Sequence, residues 1–177
     1  MPRWKNILVP TDLSPASRAA MLVAAELAHD SQGKLLILHV AELPEGMDRQ
    51  TPIEPTPGAP PVPIGDCLES SARAELARMA QSARDAAPGA TVDPRVVIGA
   101  PSAVILAESE ALEADLVVVG THGRTGFAHL MLGSVAENLV RRSRVPVLTV
   151  RGPAAPAAKL DPAPSPEAPA VRATFQG

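Results

Sequence analysis

Aromatic residues are almost missing from this chain, whose 177 residues include one Trp, two Phe and no Tyr, so a core must be built from aliphatic side chains. The single cysteine, Cys67, excludes an internal disulfide and any site that needs paired cysteine ligands.

No apolar run approaches the length of a membrane span. The net charge is −3 and there is no Lys/Arg run, so neither a nucleic-acid nor a membrane partner is expected. The N-terminal residues lack a signal-peptide layout, and a cytoplasmic location is therefore expected.

Proline is abundant and unevenly distributed. Of the 20 prolines, seven lie from Pro44 to Pro63 and six lie from Pro153 to Pro169. We expect none of these thirteen prolines to belong to a helix or a strand. The pattern predicts one domain over residues 1–152, a Pro-rich loop at 41–65 inserted after the second strand, and a disordered Pro/Ala-rich tail at 153–177.

Between the prolines, short apolar strands alternate with helical patterns. The first helix has a capping Ser14 followed by Pro15 and is predicted to end at Gly33. A second helix is predicted from Asp66, which has capping-box spacing with Glu69. Four of the five predicted strands are continuous Val/Ile/Leu runs, which are typical of strands covered on both faces. The sequence therefore predicts an α/β fold with a parallel sheet and helices on each side.

Three polar segments each follow the carboxyl end of a predicted strand: "PTDLS", "HV" and "GTHGRTG". In a parallel sheet these ends converge, and ligands bind there. Gly120 and Gly123 can let backbone amides approach a phosphate, although a turn needing glycine is the alternative, and Gly126 is assigned to the turn alone. No P-loop or dinucleotide motif is present, so spacing alone leaves the two interpretations about equal.

The residues Gly133 and Ser134 stand where a fourth helix is predicted to begin. A helix N-terminus is a ready phosphate site. Ser134 and Glu137 also form a capping box that needs no ligand, and the two interpretations are compatible. Asp12 is either a carboxylate aimed at a ribose or a metal, or a solvated loop acid. His122 and His129 lack a third ligand for zinc. We expect no catalytic residues and no protein-built metal site.

Four stretches together resemble the universal stress protein family: "NILVPTDLSPAS", "LLILHV", "GAPSAVILAESEALEADLVVVGTHGRTG" and "LGSVAENLVRRSRVPVLTV". The resemblance covers residues 4 to 151, apart from the Pro-rich loop. The most specific part is the spacing G-x2-G-x9-G-[ST], which Gly120, Gly123, Gly133 and Ser134 satisfy. This spacing is the signature of the ATP-binding branch of that family.

The resemblance implies a single five-stranded parallel sheet of order 3-2-1-4-5 with helices on both faces, a Rossmann-like fold that binds adenine nucleotides. It implies ATP as the ligand, with Mg²⁺ or Mn²⁺ as candidate accompanying ions. Carried over by position, the binding residues are Pro10, Thr11, Asp12, Val40, Gly120, Gly123, Arg124, Gly133, Ser134 and Val135.

The resemblance further implies a homodimer, which we expect to form through the fifth strand, from Val145 to Val150. If Pro146 lies inside that strand, its nitrogen is expected to face outward, as are the N–H groups of Leu148 and Val150. The expected function is stress response through ATP occupancy and an unidentified protein partner. A weak ATPase or self-phosphorylating enzyme is the alternative, and an interaction module with an empty pocket is the third.

Overall fold

A computed structural model describes residues 4–121 and 132–152. Within these ranges no helix is both long enough and apolar enough to cross a bilayer. The predicted tail at 153–177 lies outside the described residues.

Five parallel strands form one sheet. They are β1 (Asn6–Thr11), β2 (Lys34–Ala41), β5 (Thr91–Ile98), β6 (Leu116–Gly120) and β7 (Val147–Val150). Their order across the sheet is β5-β2-β1-β6-β7. When the five are numbered along the chain this is the predicted order 3-2-1-4-5, so the prediction is confirmed.

Four helices cover both faces of the sheet, as the continuous apolar strands predict. They are α1 (Pro15–Ser31), α2 (Ile64–Ala86), α3 (Pro101–Ala111) and α4 (Ser134–Arg142). One core cluster packs α1 and α2 against alternate strand residues, including Ile7, Val9, Ile37 and Val118. The other packs α3 and α4 against the opposite face, including Leu8, Leu38, Val117 and Leu139. Each fully buried Leu or Val contributes roughly 1.5–3 kcal/mol by leaving water.

The first helix begins and ends where the sequence predicts. Ser14 Oγ accepts a hydrogen bond from Ser17 N at 3.3 Å, and Pro15 occupies the first turn. At the other end Gln32 takes the left-handed conformation, with φ of 52°. Gly33 follows it because a Cβ there would lie 2.5 Å from Trp4 O.

The Pro-rich segment is more ordered than predicted, and it changes the start of the second helix. Two short antiparallel strands, β3 (Pro52–Ile53) and β4 (Val62–Pro63), lie within it, so some of its prolines do belong to regular elements. The helix α2 begins at Ile64, without a side-chain cap, and the predicted capping box at Asp66 is wrong. The physical reason is a pair of backbone carbonyls from the loop: Thr51 O accepts from Ile64 N at 2.9 Å, and Arg49 O accepts from Gly65 N at 3.1 Å.

The backbone of β7 faces the opposite way from the prediction. Pro146 O accepts from Val117 N at 3.0 Å, and Val150 O accepts from Thr121 N at 2.9 Å. Because the N–H and C=O of one strand residue point to the same side, the N–H groups of Leu148 and Val150 face β6. Proline is tolerated because Pro146 precedes β7 and stands opposite Leu116, the first residue of β6, so the N–H that it lacks would have met a residue before that strand. The outward-facing donors are those of Val147 and Thr149.

Candidate functional site

A cavity of about 590 Å³ opens at the carboxyl ends of β1, β2 and β6. This is the edge at which ligands bind in open α/β sheets. The structure brings eight of the ten predicted binding residues to its wall: Pro10, Thr11, Asp12, Val40, Gly120, Gly133, Ser134 and Val135. The other two, Gly123 and Arg124, lie outside the described residues.

The cavity reaches into both helical layers of the fold. On the side of α3 and α4 its wall is apolar, and includes Leu38, Pro101, Ile105, Val119 and Ala136. On the side of α1 and α2 its wall is more mixed, and includes Ser17, His39, Leu68, Ser71 and Ala72. The volume falls within the range of small-molecule sites in proteins, roughly 300–1,000 Å³.

Asp12 stands at the turn from β1 into α1, with its carboxylate held in place. Ser14 N donates to Asp12 Oδ1 at 3.1 Å. Burial by itself would raise the pKa of Asp12, but hydrogen bonds from Ser14 and Ser17 outweigh it and hold this pKa below its ordinary value. The group is therefore an ionised acceptor at neutral pH, the form needed to accept from a sugar hydroxyl.

The Thr11 side chain has a structural role. Its hydroxyl lies 2.8 Å from Ser17 Oγ and accepts from Leu13 N at 2.9 Å. The side chain is buried beneath the cavity floor, where it also contacts Met79 Sδ. Thr11 thus shapes the turn that presents Asp12.

The carbonyl of Val40 is a backbone acceptor at the end of β2. Lys34 N donates to Lys5 O, directly before β1, so alternate residues of β2 up to Val40 face that strand. The ladder register between the two strands ends at Thr11 and His39. The next amide, Leu13 N, turns to the Thr11 hydroxyl instead. Val40 can therefore offer its carbonyl to a donor in the cavity, such as an exocyclic amine.

The first turn of α4 lines the cavity. Gly133 is the N-cap residue, and the described residues supply no side-chain cap, so the predicted capping role of Ser134 is wrong. Gly133 N donates to Thr121 O at 2.8 Å, and Glu137 N is bonded to Gly133 O at 2.9 Å. The intervening amides, from Ser134 to Ala136, belong to the helix turn that has no intrahelical acceptors, where the helix dipole favours an anion.

Gly120 has a packing role that the sequence did not reveal. It ends β6, and a Cβ at this position would lie 3.0 Å from the carbonyl carbon and oxygen of Ala16. The absence of a side chain lets the start of α1 approach the sheet. Its place in the glycine spacing is therefore explained by helix packing as well as by a ligand.

Several wall residues were not predicted from the sequence. His39 belongs to the strand-end segment "HV" that the sequence indicated, but it was not assigned a binding role, and its Nδ1 lies 2.8 Å from Thr11 O. The α2 residues could not have been found in this way, because a long loop separates α2 from β2. Among residues 4–121 and 132–152, no group of three His, Cys, Asp or Glu side chains is arranged to hold a metal.

Residues 3–151 match the sequence model of the Universal stress protein family. Universal stress protein Rv1636 of Mycobacterium tuberculosis (strain H37Rv) is 31% identical over 153 residues, covering 85% of this chain and 98% of that protein. The solved structure of MJ0577, a universal stress protein of Methanocaldococcus jannaschii, has a TM-score of 0.71 at 24% identity, covering 87% of this chain and 100% of its own. A universal stress protein solved in complex with cAMP has a TM-score of 0.62 at 28% identity, covering 85% of this chain and 98% of its own.

Proposed function

The chain belongs to the universal stress protein family, and we propose that it binds ATP in the cavity at the sheet edge. Nucleotide occupancy would then control its association with a protein partner during stress. One observation carries the proposal: the start of α4, to which the described residues give no side-chain cap, lines the same cavity as the ionised Asp12 and the Val40 carbonyl.

Each part of the nucleotide has a chemically suitable wall in this proposal. The phosphates lie at the first turn of α4, where amides without intrahelical acceptors and the helix dipole favour anions. The ribose hydroxyls donate to Asp12. The adenine amine donates to the Val40 carbonyl, and the ring packs against Leu38 and Ile105. A Mg²⁺ or Mn²⁺ ion would be bound chiefly by the phosphates themselves.

A cyclic adenosine monophosphate is a second candidate ligand. The observation that favours it is the structural neighbour at 28% identity that was solved with cAMP. The two ligands make different demands on α4, because ATP brings more negative charge to its amides than a cyclic monophosphate does. A competition experiment between ATP and cAMP shows which of the two ligands the site binds more tightly.

The proposal assigns no catalytic residue and treats the protein as a regulator. Asp12 Oδ1 accepts from Ser14 N, and His39 Nδ1 lies against Thr11 O, so both polar side chains have structural partners. The rival proposal is slow ATP hydrolysis or self-phosphorylation from the same cavity. Incubation with ATP labelled at the γ-phosphate tests it, since released phosphate or label on the protein would favour the enzyme. A further rival, an interaction module with an empty cavity, requires that no nucleotide binds.

The proposal includes a homodimer formed through the outer edge of β7, and a cytoplasmic location. Among the described residues β7 is the last strand of the sheet, and Leu148 and Thr149 are exposed on it. An open strand edge is a template for pairing, which a second copy would satisfy. No nucleic-acid or membrane partner is proposed.

The direct test is to denature the purified protein and identify any nucleotide that it releases. ATP in the supernatant supports the first proposal, and cAMP supports the second. If none is released, titration of the protein with ATP, AMP and cAMP follows. No binding of any of them would reject nucleotide occupancy as the basis of function.

A further inference from the structure

The segment Asp48–Thr51, here called the strap, is a compact turn that lies across the start of α2. Asp48 N donates to Thr51 Oγ1 at 3.0 Å, and Gln50 N donates to Asp48 Oδ1 at 2.8 Å. Thr51 N closes the turn on Asp48 O at 3.1 Å. The strap is therefore held in shape by its own hydrogen bonds.

Three kinds of contact join the strap to α2. Its carbonyls at Arg49 and Thr51 accept from the first two amides of the helix, Gly65 N and Ile64 N. The Arg49 guanidinium forms an ion pair with Glu69, one turn into the helix. The Arg49 side chain also lies so close to Gly65 that any Cβ there would overlap Arg49 Cγ. The backbone bonds replace the side-chain cap that α2 lacks.

The part of α2 that the strap holds also forms the wall of the cavity. Leu68, Ser71 and Ala72 line the cavity. Leu68 follows Gly65 by three residues and Ala72 follows it by seven, so both lie close to the stripe of the helix that meets the strap. A displacement of the first turns of α2 would therefore move this wall.

We propose that Arg49 and Gly65 are positioning residues for the ligand, because the docked strap fixes the α2 wall against which a bound nucleotide packs. This inference rests on the proposed function, since it assumes a nucleotide in the cavity. By thermodynamic linkage, a change that loosens the strap weakens nucleotide binding. Nucleotide binding in turn stabilises the docked strap by the same free energy.

The substitution Gly65→Ala tests the inference. Alanine has a higher helix propensity than glycine, so any loss of ATP affinity in this variant comes from displacement of the strap. We expect ATP affinity to fall about fivefold or more, the lower end of ordinary coupling between sites. In the double variant Arg49→Ala/Gly65→Ala the overlap with Arg49 Cγ is gone, but the ion pair with Glu69 is lost and the new Cβ still lies 3.1 Å from Arg49 O, so affinity recovers only in part. Arg73→Ala is the matched control: Arg73 pairs with the same Glu69 from within the helix, so its loss leaves affinity unchanged.

Trypsin gives an independent measurement. Arg49 is the single trypsin site between Lys34 and Arg73, so cleavage after it reports release of the strap. We expect ATP to slow this cleavage in the original protein and Gly65→Ala to accelerate it. If the original protein binds ATP but Gly65→Ala binds equally well, or ATP leaves cleavage at Arg49 unchanged, the inference is overturned alone. If the original protein binds no ATP, the proposed function falls and the inference falls with it.

Discussion

Gly120 and Ala16 are in such close contact that a Cβ on Gly120 would lie 3.0 Å from the Ala16 carbonyl. The neighbouring atoms are backbone and can yield little. We predict that Gly120→Ala lowers the free energy of unfolding by about 1–3 kcal/mol without any ligand, as overpacking usually does.

Chemical denaturation of the nucleotide-free protein measures this effect. Gly33→Ala provides the comparison, because its Cβ would lie 2.5 Å from Trp4 O and should cost more. Unchanged stability in Gly120→Ala would show that this glycine serves the ligand alone.

The outer edge of β7 provides a test of the proposed homodimer. Thr149→Pro removes an N–H that faces away from β6, so the chain should fold but sediment as a monomer. Leu148→Pro removes an N–H that faces β6 and should destabilise the fold itself. Sedimentation velocity and circular dichroism on the same samples distinguish the two effects. A persistent dimer in folded Thr149→Pro would mean that the interface lies elsewhere.

The lowered pKa of Asp12 predicts a pH dependence of stability. A carboxylate whose pKa falls on folding stabilises the protein at pH values above its ordinary pKa of 3.8. This contribution disappears as the pH falls through the lower pKa of the folded state. The stability difference between the original protein and Asp12→Asn should therefore be full at about pH 6 and shrink as the pH falls below the ordinary pKa of 3.8. Thermal unfolding of both proteins across this range measures it. A difference that grows toward acid would contradict the assignment.

The strands and their order could be predicted because local pattern determines them. Runs such as Leu116–Val119 are buried on both faces, and the start of α1 depends on the adjacent Ser14 and Pro15. The position of the cavity could also be predicted, because the carboxyl ends of parallel strands converge at one edge of the sheet.

The errors arose where distant residues satisfy the backbone. The amides at the start of α2 bond to Thr51 and Arg49, so Asp66 was not needed as a cap. The facing of β7 depended on where Pro146 falls relative to the start of β6, which no local pattern records. The packing of Gly120 against Ala16 likewise joins parts of the chain far apart in sequence.

In the proposed complex phosphates bind at the first turn of α4, and Gly133→Val tests this placement. Gly133 has φ of −59°, which any residue can adopt, so the fold should survive with a modest capping loss of about 1 kcal/mol or less. A valine side chain would obstruct the approach of phosphate to the amides of the first turn. Gly133→Ala is the control with the smallest added side chain.

Calorimetric titration of ATP into the three proteins is the decisive measurement. We predict that the original protein binds one ATP per chain, that Gly133→Ala loses affinity to an intermediate extent, and that Gly133→Val loses more than about tenfold in affinity, equivalent to about 1.4 kcal/mol. Equal affinity in all three proteins, or no binding by the original protein, would contradict this prediction.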